Sequence, residues 1–193
     1  MITREILGIL AGILSFSAYV LYIVTTLFGK TRPNKATWWV LTLVGIMIAT
    51  SYYASGARAT IWVALSYVLG PLIIAILSLK YGAGKWEKLD KWCLSIALIS
   101  ALIWYVSNSP LLVLAINIFI DFIGLIPTIK KSYLDPKSED RVAWTLESLS
   151  GVLNILAIEK WVFGIAFYPV YLLAINGAVT LLLYRPILKT TKT

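Results

Sequence analysis

The chain alternates long apolar stretches with short polar turns, a pattern that predicts membrane-spanning helices. A helix needs about 20 largely apolar residues to cross the hydrocarbon core of a bilayer, and the fourth stretch is short for that length. The predicted fold class is an all-α membrane protein with seven transmembrane helices. The predicted spans are 5–27, 37–54, 60–79, 92–106, 111–129, 143–158 and 163–184.

Composition agrees with a membrane protein rather than a soluble one. The 193 residues are 60% hydrophobic and only 13% charged, which leaves too few polar side chains to cover a soluble globule. We therefore treat residues 1–193 as a single transmembrane domain whose surroundings are membrane lipid.

The basic residues indicate the orientation. With seven alternating spans, all but three of the 17 Lys and Arg residues fall on one side, and the exceptions are Arg4, Arg58 and Lys160. The basic side of a membrane protein faces the cytoplasm. We expect an inner (plasma) membrane protein with its N-terminus outside and its C-terminus in the cytoplasm. The formal charge of +8 is explained by this topology, so no nucleic-acid partner is predicted.

Several chemistries are disfavoured by what the sequence lacks. The only cysteine is Cys93 and there is no histidine, so an intrachain disulfide, a Cys/His metal site and histidine-based catalysis are excluded. The run Gly82-Ala-Gly-Lys85 lacks the spacing of a phosphate-binding loop. We predict no enzymatic activity, no cofactor and no metal.

A weak internal repeat runs through the chain. Residues 5–79 and 111–184 share their layout at an offset of about 105 residues, which places Trp39 on Trp144 and one basic turn on the other. The span at 92–106 would act as a linker helix that lets both three-helix repeats run in the same direction. Parallel repeats with a substrate site near the membrane midplane are a known transporter layout.

This plan of three, one and three helices resembles the SWEET/PQ-loop superfamily, which includes PnuC-like vitamin transporters. Pro127-Thr128 looks like the family's Pro-Gln dipeptide in the second repeat, whereas the first repeat has Tyr22-Ile23 there. Asn176 looks like the sugar-contacting Asn of the last helix. The resemblance implies a small-solute transporter that works by alternating access. A non-transporting receptor or scaffold on the same fold is the alternative.

The candidate chemistry lies in the second repeat. Asp121 is a carboxylate near the middle of a span, where insertion costs about 2.5–3.5 kcal/mol, so it is a candidate for solute binding or proton coupling. Asn117 lies one helical turn from Asp121, and Asn176 lies at a comparable depth in the last span. We expect both amides to line the same cavity. The alternatives are a protonated structural Asp121 and amides that only link helices.

Other polar and aromatic residues complete the predicted site. Glu147 is a second candidate for proton coupling, or else it pairs with Arg141 or caps its own helix. Tyr19 and Tyr67 lie deep enough to stack on a ring-shaped solute, or else they pack in the core. Tyr168 and Tyr171 are assigned to the outer side.

Two prolines are predicted to act as hinges. Pro71 lies within the third span and Pro127 near the end of the fifth, and each removes a backbone hydrogen bond from its helix. The predicted partners are lipid and a small-molecule solute, such as a sugar, vitamin or amino acid. The sequence is also compatible with a homo-oligomer.

Overall fold

The computed structural model describes residues 3–29, 33–82, 85–86, 88–136 and 139–185. Within these ranges the regular structure consists of seven α-helices, so the predicted all-α class is confirmed. The helices are α1 (Arg4–Leu27), α2 (Lys35–Ala54), α3 (Ile61–Tyr81), α4 (Lys88–Ser107), α5 (Pro110–Leu134), α6 (Arg141–Leu156) and α7 (Phe163–Tyr184).

Three helices begin at polar residues that satisfy otherwise unpaired backbone N–H groups. The Thr3 hydroxyl accepts a hydrogen bond from the first turn of α1, and the Asn34 side chain does the same for α2. The Asp140 carboxylate accepts from two backbone N–H groups of α6, at 2.8 and 3.0 Å. These caps fix where α1, α2 and α6 start.

Five helices in the described part of the chain are long and apolar enough to cross a membrane, namely α1, α2, α3, α5 and α7. This finding supports a membrane-spanning protein. Of the other two, α4 has a shorter apolar stretch among the described residues, Leu94–Ser107, and α6 has 16 residues. The count of seven spans stays a prediction.

Two helices, α4 and α5, extend furthest beyond the predicted spans. α4 begins at Lys88, inside the stretch expected to be a loop, and α5 continues past residue 129 to Leu134. Helical hydrogen bonding does not require apolar side chains, so a helix can continue after its sequence turns polar. α5 ends just before Asp135-Pro136, where the proline disfavours the helical conformation of the preceding residue.

The helices form two groups with the same internal arrangement. In the first unit (α1–α3), α3 packs between α1 and α2, and in the second unit (α5–α7), α7 packs between α5 and α6. Across the boundary, α1 packs against α6 and α2 against α5, while α4 lies against α5 and α2. Each main contact made by a helix of the first unit therefore has a counterpart made by the corresponding helix of the second unit.

Glycines bring helices together closely within each unit. A Cβ atom on Gly8 would lie 1.7 Å from the Ala59 carbonyl oxygen, and one on Gly45 would lie 2.5 Å from the Tyr67 carbonyl oxygen. Both contacts lie inside the first unit. In the second unit, a Cβ on Gly151 would lie 3.1 Å from Leu173 Cα. Each unit is therefore packed backbone to backbone at these points.

Candidate functional site

A cavity of about 820 Å³ lies between the two units. Helices α1, α2 and α3 line it on one side and α5, α6 and α7 on the other, whereas no described residue of α4 lines it. It extends from the polar interior to the helix ends near Asn34, Glu139 and Asp140, which we call the open end. The cavity is large enough for a small organic molecule.

Asp121 lies in the cavity wall and is held by two tyrosines from different units. Tyr67 of the first unit donates a hydrogen bond to one carboxyl oxygen. Tyr171 of the second unit donates to the other at 2.5 Å. Asp121 is only 6% exposed, so these hydroxyls replace water as its hydrogen-bond donors. The carboxyl therefore connects the two units across the cavity.

Glu147 forms a second connection between the units. The Ser15 hydroxyl of α1 lies 3.1 Å from each carboxyl oxygen of Glu147, and the Ser66 hydroxyl lies 2.7 Å from Ser15 Oγ. The local roles proposed for Glu147 are wrong, because Asp140 caps α6 and the Arg141 guanidinium lies over the Tyr184 ring instead. Glu147 lies about two turns into α6, beyond the capped end, and lines the cavity.

Aromatic side chains form much of the remaining wall. The cavity is lined by Tyr19, Tyr22, Trp38 and Trp144. The ring centroids of Tyr22 and Trp38 lie 4.8 Å apart. Gly70 makes room for the Tyr19 ring, because a Cβ there would lie 2.2 Å from Tyr19 Cγ. The wall thus combines flat apolar faces with a few polar groups, as small-molecule sites commonly do.

Most of the predicted site residues meet in this cavity, and one does not. Asn117 faces α4, where its Nδ2 atom donates to Ser100 Oγ and to the Val113 carbonyl oxygen, each at 2.9 Å. It shares a helical face with Asp121, but it lies one turn earlier in α5, where that face is covered by α4. The predicted residues that do line the cavity are Tyr19, Tyr67, Asp121, Glu147 and Asn176.

The two predicted hinge prolines both lie within helices. Pro71 lies inside α3, which continues through it as one helix, and its side chain is buried. Pro127 falls within the range of α5, and its side chain lies outside the described residues. Sequence reasoning did not consider Pro169, which lies buried inside α7. The hinge role stays a prediction for both Pro71 and Pro127.

Tyr168 lines the cavity and Tyr171 donates to Asp121, two contacts that the sequence analysis did not predict. Their assignment to the outer side concerns depth in the membrane and stays a prediction. A signal for the cavity face existed in the sequence. Tyr168, Leu172 and Asn176 are spaced by four residues, which places them on one side of α7. Ser15 and Ser66 had no comparable signal, because hydroxyls are common in apolar helices, where they bond to their own backbone.

The opposite end of the cavity, which we call the closed end, is sealed by contacts between the units. The Tyr52 hydroxyl donates to the Ile165 carbonyl oxygen at 2.8 Å and lies 2.7 Å from Thr60 Oγ1. Its ring packs edge-on against Tyr168, with 5.1 Å between centroids. Tyr52 is fully buried, so it forms a plug between α2 and the start of α7.

A second set of bonds seals the same end. Arg4 donates from its guanidinium to the Glu159 carbonyl oxygen at 2.7 Å, and the Ala59 backbone N–H donates to the Glu159 carboxylate at 3.2 Å. These bonds join the loop between α6 and α7 to the first unit. The cavity is thus accessible from one end of the helices and blocked at the other.

Comparisons with known proteins bring no further information, since no family model, curated protein or solved structure matches the chain. Among the described residues there is also no group of three His, Cys, Asp or Glu side chains that could hold a metal ion. The case for a function therefore comes from the cavity itself.

Proposed function

We propose that the chain is a small-solute transporter of the inner (plasma) membrane that works by alternating access. The observation that carries this proposal is the cavity between the two units, which is open at one end and sealed at the other. A transporter that alternates between two sides has such a cavity in each of its end states. The basic loops lie at the open end, so the described state would face the cytoplasm.

The proposal includes seven membrane spans, with α1–α3 and α5–α7 as parallel repeats and α4 as their linker. The matching helix contacts of the two units support the repeat. The orientation, with the N-terminus outside and the C-terminus in the cytoplasm, is supported by the strong bias of Lys and Arg to one side. Substrate sites in such transporters lie between the repeats, which is where Asp121 lies.

The contacts within and between the units differ in a way that suits rigid-body motion. Inside each unit, glycines such as Gly8 and Gly151 allow close backbone packing, which is lost if the helices separate. Between the units, hydroxyl contacts such as Tyr67 to Asp121 and Ser15 to Glu147 are prominent. A hydrogen bond can be exchanged for one to water or solute, so the units can move apart at the open end.

Asp121 and Glu147 are the proposed coupling groups. Each carboxyl lies in the cavity wall and accepts a hydrogen bond from a hydroxyl of the first unit, Tyr67 for Asp121 and Ser15 for Glu147. Taking a carboxyl out of water favours its neutral form, and access to water on either side allows it to exchange a proton. A solute that takes the place of a tyrosine hydroxyl at Asp121 would loosen the connection between the units.

Transport in proteoliposomes tests the proposal. Purified protein should take up one member of a panel of radiolabelled sugars, vitamins, amino acids and amines with saturable kinetics. Asp121→Asn should still exchange solute down its gradient but lose accumulation driven by a pH gradient. Glu5→Gln, an exposed carboxylate at the start of α1, is the matched control and should behave as the wild type. Saturable binding without flux would indicate the receptor alternative.

A further inference from the structure

We propose that the cavity selects cationic organic solutes, in particular an ammonium group attached to an apolar or aromatic body. The inference rests on the proposed function, because it assigns a substrate class to the same cavity. It is carried by the charges that line the cavity, by the partners of its buried carboxyls and by an unpartnered tyrosine hydroxyl.

The charged residues of this chain are distributed unevenly around the cavity. The sequence has 17 basic and 9 acidic residues, so charged residues taken at random would include more Lys and Arg than Asp and Glu. The described residues that line the cavity nevertheless include no Lys or Arg. Four carboxylates line it instead, with Asp121 and Glu147 in the interior and Glu139 and Asp140 at the open end. Such a lining attracts cations and repels anions.

Within the part of the chain that the structure describes, the two interior carboxyls lack a positively charged partner. Asp121 is bonded to the hydroxyls of Tyr67 and Tyr171, and Glu147 to the hydroxyl of Ser15, all of which are neutral. A buried carboxylate is costly without an opposite charge, so it binds either a proton or a cation. A cationic solute in this cavity supplies the missing charge, whereas a neutral solute does not.

Tyr168 offers an independent sign that a polar ligand group is missing from the cavity. Its side chain lines the cavity and is 1% exposed, and its hydroxyl has no hydrogen-bond partner among the described residues. Buried hydroxyls in proteins nearly always have a partner. A phenolic oxygen can accept an N–H bond from an ammonium group, so Tyr168 can act together with the carboxyls.

The size and the aromatic walls indicate an organic cation rather than a bare ion. A cavity of about 820 Å³ is far larger than a metal site, and its described lining includes the rings of Tyr19, Tyr22, Trp38 and Trp144. Aromatic faces attract ammonium groups, most strongly when water is excluded, and they also pack against the apolar body of the solute.

A series of ligands that share a phenylethyl body and differ in the charge of the end group tests this inference. The probes are 2-phenylethylammonium, 2-phenylethanol and 3-phenylpropanoate, added to the full-length protein in detergent. Trp38 and Trp144 line the cavity, so tryptophan fluorescence reports binding directly. We expect the ammonium to bind at least about tenfold more tightly than the alcohol, from charge pairing and cation–π contact, and the carboxylate to bind most weakly.

Variants identify the groups that provide the selectivity. Asp121→Asn and Glu147→Gln should each reduce the preference for the ammonium over the alcohol, and Tyr168→Phe should weaken ammonium binding while leaving the alcohol less affected. Glu5→Gln removes one carboxylate outside the cavity and should leave the preference unchanged. Each variant is first checked for a single folded species by size exclusion and circular dichroism.

The outcomes separate this inference from the proposed function. Ammonium binding without flux in proteoliposomes would contradict transport and support the cation site. Flux of a neutral or anionic solute, with no preference for the ammonium in the wild type, would overturn the cation site and leave transport standing. The wild-type series decides this even if a variant does not fold.

Discussion

The close contact between Gly8 and Ala59 leads to a quantitative prediction. An alanine Cβ at position 8 would lie 1.7 Å from the Ala59 carbonyl oxygen, about half of an ordinary contact distance of about 3.5 Å. The overlapping atom belongs to the backbone, so a change of side-chain rotamer cannot relieve the overlap. Overpacking of this kind costs about 1–3 kcal/mol, and we expect Gly8→Ala to fall toward the upper part of that range.

Gly124→Ala is the matched control. Gly124 is also a helical glycine, but a Cβ added there meets no atom within 4 Å. Both substitutions gain the same helix propensity, up to about 1 kcal/mol, so their difference isolates the cost of the contact. We therefore expect Gly8→Ala to be less stable than Gly124→Ala by about 1–3 kcal/mol.

The free energy of unfolding is measured in mixed micelles of dodecylmaltoside and sodium dodecyl sulfate, with tryptophan fluorescence and circular dichroism as readouts. Equal stability of the two variants would refute the backbone contact between α1 and the turn before α3. It would also remove one support for the first unit as a rigid body.

Three further predictions follow from the closed end, the orientation and the α4 contact. Tyr52→Phe should lower the free energy of unfolding by about 1 kcal/mol and increase water access at the closed end, measured by thermal unfolding and hydrogen exchange. In a Cys93→Ser background, single cysteines at Arg58 and Asn34 should react with impermeant thiol reagents from outside and from the cytoplasm respectively, and the reverse would contradict the topology. Asn117→Ala should lower stability by about 1 kcal/mol in the same unfolding assay while leaving ligand affinity unchanged, whereas a large loss of affinity would restore Asn117 to the site.

The sequence allowed the fold class and the approximate position of each helix to be predicted, because apolar stretches of this length have few alternatives to a helix. The ends of α4 and α5 were missed for a physical reason. Hydropathy reports how deep a residue lies in lipid, whereas a helix ends where backbone hydrogen bonding stops, as at Leu134 before Asp135-Pro136.

The site could be predicted only where polar groups stand out against an apolar span. Asp121, Glu147 and Asn176 were found in this way and all line the cavity. The contact of Tyr171 with Asp121 was not predicted, and Asn117 was placed in the cavity although it faces α4. Both contacts depend on the rotation of a helix about its axis, which a nearly uniform apolar sequence does not define.

The central claim is that the two units move relative to each other so that the cavity opens to alternate sides. Spin labels at Lys35 and Arg141 report the separation of the units at the open end, and labels at Arg58 and Lys160 report it at the closed end. Pulsed electron paramagnetic resonance in lipid measures both distances with and without a transported solute. The account predicts that solute and a pH gradient shift the population so that the first distance shortens while the second lengthens. Two distances that stay fixed, or that change in the same direction, would contradict alternating access.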